Sequence, residues 1–220
     1  MNGMVIPVSA MDVIRSNFPL RTRSQIATIV EQAFHLTKEA IKHTTILNWD
    51  LGKRHEGYLR PLAVAFLMQQ KINQGELECT FKFEYNSNKS HRYIVIEKGN
   101  SKMTISQVDS KYKIARPAYF RKKKQMANQA YFNYGNEPIY SDDSHIYHLL
   151  LTFSSGGDTP EFINIGMPGD AGWMDRIDIL KELHALPSQD NLIEPEVKII
   201  PEKLIELKSF VEEVEDNGSK

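Results

Sequence analysis

Between residues 111 and 124 the chain places seven cations, Lys111, Lys113, Arg116, Arg121, Lys122, Lys123 and Lys124, and no acid occurs from 110 to 136. Aromatic side chains are interleaved: Tyr112, Tyr119 and Phe120 within the stretch, then Tyr131, Phe132 and Tyr134. Lysine and arginine neutralise phosphates, while tyrosine and phenylalanine stack on unpaired bases. The residues expected to contact nucleic acid are therefore Lys111, Lys113, Arg116, Tyr119, Arg121, Lys122, Lys123 and Lys124. The same residues also fit a solvated basic helix, or one docked on an acidic surface, with Tyr112 and Phe120 in the core. Pro117 can open a helix of about ten residues through Asn128. On such a helix the run 121–124 spreads around the axis, so two or three of its cations face any one backbone.

The charge distribution is a second feature that bears on a partner. The net charge of −1 divides into 21 Lys and Arg against 10 Asp and Glu in residues 1–136, and 6 against 18 in residues 137–220. Such an asymmetry points either to nucleic acid at the basic part or to attraction between the two parts, within a chain or between chains.

Other chemistry has thinner support. No G-x-S-x-G elbow and no phosphate-binding glycine motif is present. Gly166, Gly169 and Gly172 recur at threes before an expected helix, but Asp170, Asp175 and Asp178 disfavour a phosphate there. Asp142, Asp143, His145 and His148 cluster, yet residues three apart on a strand face opposite ways, so a structural or surface role is expected. Cys79 is the single cysteine, which excludes an internal disulfide, and its place on an oily strand face suits a buried thiol. The sequence thus names no catalytic residue, no metal ligand and no cofactor.

The elements that would position these residues follow from periodicity. Met4 to Val8 reads as a short strand, and Ser9 caps a helix to about Asn17. Thr22 and Gln25 have the spacing of a capping box for a helix to about His43. Ile46, Leu47 and Trp49 suggest an apolar plug. Tyr58 to Asn73 carries a wide apolar stripe with Pro61 in the first turn, and Gly75 is a good stop. From Leu77 to Val108 a period of two, broken at Asn86–Ser90 and Gly99–Asn100, describes a three-stranded meander. His145 to Phe153 is a continuous apolar run, as expected of a central, doubly covered strand. Phe162 to Ile165 pairs back. Trp173 to Leu186 reads as a helix, Glu196 to Ile200 as an edge strand, and Pro201 opens a last helix.

From Tyr58 to Phe153 the order is helix, three strands, helix, strand. This αβββαβ order resembles the core of the PD-(D/E)XK nuclease fold. The resemblance implies an acid on the second core strand and an acid-x-lysine on the third, holding Mg²⁺ and activating water. Here the second strand ends in Glu97-Lys98, adjacent and so on opposite faces, and the third offers Ser106-Gln107-Val108-Asp109. Glu56, Glu84, Glu97 and Asp109 are the acids that would have to converge.

The expected architecture is α+β: a central antiparallel or mixed sheet (meander 77–108 plus strands near 145–153 and 160–165) flanked by helices. It is read as one domain over residues 1–216, with a helical part 9–75, a sheet core 77–166, C-terminal helices 173–214 and a frayed tail 217–220. No apolar run reaches the length of a membrane span, and no signal peptide is evident, so a cytoplasmic protein is expected. The favoured function is non-catalytic nucleic-acid binding by the basic-aromatic surface of residues 1–136. Two alternatives are kept. One is a protein-interaction module, an inhibitor or accessory subunit of mobile-element or defence systems, using its acidic C-terminal part. The other is a Mg²⁺-dependent nuclease with an irregular PD-(D/E)XK-like site.

Overall fold

The computed structural model describes residues 4–6, 9–86, 88–90, 92–128, 131–133 and 145–185. Its centre is a six-stranded mixed sheet built from β2 (Thr80–Tyr85), β3 (Arg92–Lys98), β4 (Ser101–Val108), β6 (Tyr147–Ser154), β7 (Ile163–Pro168) and β8 (Trp173–Asp178), hydrogen-bonded in that order. The meander β2-β3-β4 is antiparallel. β6 runs parallel to β4 over eight residue pairs, which requires a crossover, and α5 (Tyr119–Gln125) lies in it. A pair of short strands, β1 (Met4–Ile6) and β5 (Tyr131–Asn133), forms a second, two-stranded sheet.

Helices α1 (Ala10–Asn17), α2 (Leu20–His43) and α4 (Glu56–Asn73) cover one face of the large sheet. That face carries Ile96, Met103, Leu149, Leu151, Phe153, Ile163 and Ile165, all buried with Ile26, Val30, Phe34, Val64 and Met68 of the helices. Every residue of β6 is buried, as a strand between two neighbours and under two covered faces must be. Arg60 of α4 reaches through this layer. Its guanidinium lies 4.6 Å above the Phe34 ring and donates to the carbonyls of Ser155 and Gly157, tying the β6–β7 turn to the helix.

The opposite face is polar. Lys82, Glu84, Tyr93, Glu97, Lys102, Thr104, His148, Thr152, Asn164 and Arg176 alternate onto it by the strand register. Segment 109–128, containing α5, covers its middle. Asn128 fastens that cover: its side chain accepts from the His148 N–H and donates to the carbonyls of His148 and Pro168. The Lys111 carbonyl accepts from Asn164 and Arg176 at the other end.

Several expectations need correction. Trp173–Leu186 does not start as a helix. It is β8 followed by α6 (Ile179–Ala185), because the Trp173 ring packs on Gly166 of the neighbouring strand, within 2.6 Å of where a Cβ would stand. The edge of the sheet outweighs the helical spacing of Trp173 and Ile177. The Thr22–Gln25 capping box is absent: α2 already starts at Leu20, Thr22 is buried inside it, and Gln25 donates to the Glu76 carbonyl. The plug at 46–49 is not apolar packing, since Ile46 is 73% and Trp49 53% exposed. β2 starts at Thr80, leaving Leu77 buried before it. The helix expected from Tyr58 begins at Glu56, after a short α3 (Asp50–Lys53). The strand at 196–200 and the helix from Pro201 lie outside the described residues, as do Asp142 and Asp143.

Candidate nucleic-acid interface

The eight candidate residues divide by what holds them. On α5, Phe120 and Lys124 are one turn apart and face the sheet. The Phe120 ring stacks on Tyr93 at 4.0 Å between centroids. Lys124 Nζ sits 2.6 Å from Glu84 Oε2, and the Tyr93 hydroxyl donates to the same oxygen at 3.0 Å. Burial pushes the Glu84 carboxyl upward, but the bond and charge of Lys124, the Tyr93 hydroxyl and the charge of Lys102 outweigh it and hold the group below the usual range. Lys124 is thus a structural cation.

Tyr119, Lys122, Lys123 and Met126 recur at helical spacing on the outer side and are exposed, Tyr119 by 72%. No ion pair among the described residues holds Lys122, Lys123 or Arg116. Lys113 is exposed but pairs with Asp109 at 2.7 Å. Lys111 is half-buried, with its Nζ 5.2 Å above the Tyr112 ring, whose other neighbour is the Arg176 guanidinium at 4.9 Å. The candidate set therefore sorts into outer cations with no ion pair among the described residues (Lys122, Lys123 and Arg116, the last near enough to Asp109 for its charge to act on that carboxyl), a neutralised one (Lys113), and two engaged in holding the segment (Lys111, Lys124).

Arg121 has a different position. It turns toward a cavity of about 490 Å³ that also meets Tyr58, Phe83, Arg92, Tyr93, Ile105, Gln107 and Phe120. Its guanidinium lies 4.9 Å over Phe120 and donates to the Arg116 carbonyl. A second cavity, walled by Lys113, Ile114 and Arg116, shares Gly57, Tyr58 and Gln107 with the first, so the two hollows adjoin at those residues and together make up a groove. Asp109 is the acid in that lining. Tyr58, 76% exposed, stands where the two halves meet.

Compared with known proteins, the chain matches no family model, no curated protein and no solved structure. Function is accordingly read from the geometry.

Within the large sheet and its helices the order α4, β2, β3, β4, α5, β6 follows αβββαβ, but β5 of the small sheet is inserted between α5 and β6. The four acids of the nuclease reading do not converge on one point: Glu84 and Glu97 flank the same Lys102, at 3.9 and 3.1 Å, while Glu56 and Asp109 are held elsewhere. Glu56 pairs with Arg60, Asp109 with Lys113, Glu97 with Lys82 at 2.5 Å and Lys102 at 3.1 Å, and Glu84 with Lys124. Among the described residues no group of three potential ligands is placed to hold a metal ion. His145 and His148 also part: His145 bonds the Ala127 carbonyl, whereas His148 is buried against Thr104 Oγ1 at 3.0 Å. Burial, with the charges of Lys124 and Arg121, pushes the His148 imidazole down to about 3.

Sequence reasoning missed Arg92, Tyr58 and Gln107. Arg92 did leave a trace: by alternation it occupies the same face as Ile94 and Ile96, an oily position where a guanidinium requires a reason. Tyr58 and Gln107 left none, because their approach depends on how α4 crosses the sheet.

Proposed function

We propose that the chain binds single-stranded nucleic acid across the outer face of α5 and into the groove beside it, with Arg116, exposed and lining the groove, common to both, as a binding protein without chemistry of its own. The observation that carries this reading is the outer face of α5 and its approach: three cations without an ion-pair partner among the described residues, Arg116, Lys122 and Lys123, beside exposed Tyr58 and Tyr119. Free cations attract phosphates, and accessible rings give unstacked bases a surface. A single strand suits these rings better than a duplex, whose bases are already stacked.

The test is fluorescence anisotropy of a labelled single-stranded oligonucleotide over a range of salt. Three phosphate contacts predict a slope of about −2 in log K against log salt, at about 0.7 per contact for single strands. No binding at low salt, or binding indifferent to salt, refutes the proposal.

A further inference from the structure

β3 and β4 are zipped for only half their length. Pairing is complete from Val95↔Thr104 to Lys98↔Ser101 and stops there. Continuing the register would set Ile94 against Ile105, Tyr93 against Ser106 and Arg92 against Gln107. Instead these six residues form the two walls of the 490 Å³ cavity, with α4 beneath and α5 above. β3 remains fully paired to β2 and β4 to β6, so neither strand is frayed; the sheet forks. An antiparallel strand turns the N–H and C=O of alternate residues to each neighbour. A fork therefore carries backbone donors and acceptors on both walls with no strand opposite.

Two guanidiniums stand at this fork. Arg92 lies 3.8 Å over Phe83 and 5.7 Å from Tyr85, and its Nε and Nη1 are buried without a hydrogen-bond partner. Arg121 lies over Phe120, and its Nε is likewise buried and unbonded. No carboxylate among the described residues pairs with either. Gln107 adds an unbonded buried carbonyl oxygen while its amide donates to Ser155. Buried guanidinium N–H groups without an acceptor are costly, and an anion in the cavity would relieve that cost. The rest of the lining is largely apolar: Phe83, Tyr93, Phe120, Pro61, Leu62 and Ile105. The volume falls within the roughly 300–1,000 Å³ of small-molecule sites.

We propose that the fork is a nucleotide pocket, taking one unstacked nucleotide with its base against the apolar lining and its phosphate toward Arg92 and Arg121. The base edge meets the open backbone groups of the fork. The inference deepens the proposed interface and rests on it for the choice of ligand: the groove carries the strand, and the fork captures one of its units.

The experiment is calorimetric titration of the full chain with nucleoside 5′-monophosphates, the matching nucleosides, and inorganic phosphate. The monophosphate is expected to bind, the nucleoside and phosphate each at least about tenfold more weakly, since each lacks half of the contacts. Arg121→Met should weaken the monophosphate by about tenfold or more. Tyr58→Ala, exposed at the mouth and outside the core, should weaken it several-fold with an unchanged melting curve; it serves if the arginine variant folds poorly. Arg15→Ala, on α1, is the control that should change the binding of none of the three ligands.

Phosphate binding as well as the monophosphate overturns the nucleotide assignment, as does no monophosphate binding at millimolar concentration. Oligonucleotide binding that persists without monophosphate binding refutes the pocket and leaves the groove. Monophosphate binding without oligonucleotide binding does the reverse.

Discussion

The four consecutive cations Arg121, Lys122, Lys123 and Lys124 look alike in sequence, and the structure predicts that they fail in different ways. Lys124→Ala removes a bond of 2.6 Å to Glu84 between side chains only 19% and 29% exposed. Exposed ion pairs contribute about 0–1 kcal/mol, whereas breaking a buried pair costs about 3–5 kcal/mol. The half-buried geometry lies between, so about 2 kcal/mol is expected. Glu84 keeps the Tyr93 hydroxyl and the more distant Lys102 at 3.9 Å, which limits the damage. For a chain of this size 2 kcal/mol corresponds to a fall of about 4–8 °C in melting temperature. Lys122→Ala and Lys123→Ala should each stay within about 0.5 kcal/mol, because both are exposed and unpaired. Binding should show the opposite pattern. The Lys122/Lys123 double variant should lose about 1.4 units of salt slope, two contacts at about 0.7, while Lys124→Ala should lose less than one contact. Thermal melts and anisotropy on the same samples measure both quantities. If Lys124→Ala melts normally but loses as much slope as the double variant, Lys124 belongs to the interface and the division is wrong.

Three further outcomes follow from particular contacts. His148 has a folded pKa of about 3, below its ordinary value near 6.5. The unfolded chain then binds the extra proton first, so this contribution is complete above about pH 6.5 and is lost as pH falls toward 3, at up to about 1.4 kcal/mol per unit; urea titrations of wild type and His148→Gln across pH 4.5–7 should differ in slope, and equal slopes refute it. Gly166→Ala should destabilise by about 1–3 kcal/mol in a urea melt, since the new Cβ would lie 2.5 Å from the Trp173 ring and 2.7 Å from Arg176 Cβ; a neutral result would show that the Trp173 ring yields freely. Burial pushes the Cys79 thiol up to about 11, outweighing the charge of Lys98, so a thiol reagent at pH 8 should react far more slowly than with a free thiol until urea unfolds the chain.

The alternation in 80–98, the unbroken apolar run of β6 and the stripe of α4 made the sheet, its centre and one covering helix legible from sequence. These are local periodicities, and burial on one face writes them directly into residue order. The run of cations at 111–124 was legible as charge for the same reason.

What only the tertiary structure decided is which of those cations are free. A lysine's role depends on what stands opposite it, and Glu84, forty residues earlier, comes opposite Lys124 only once β2 joins the sheet and α5 crosses above it. The same is true of the fork. The residues of β3 and β4 are good strand formers throughout, and nothing in their order says that pairing stops after Val95↔Thr104. At the open end Tyr93 stacks with Phe120 and Arg92 lies over Phe83, contacts between elements rather than along them. β8 was misread for the same reason: helix and strand both suited its side chains, and an open edge on β7 with Gly166 beneath the Trp173 ring decided between them.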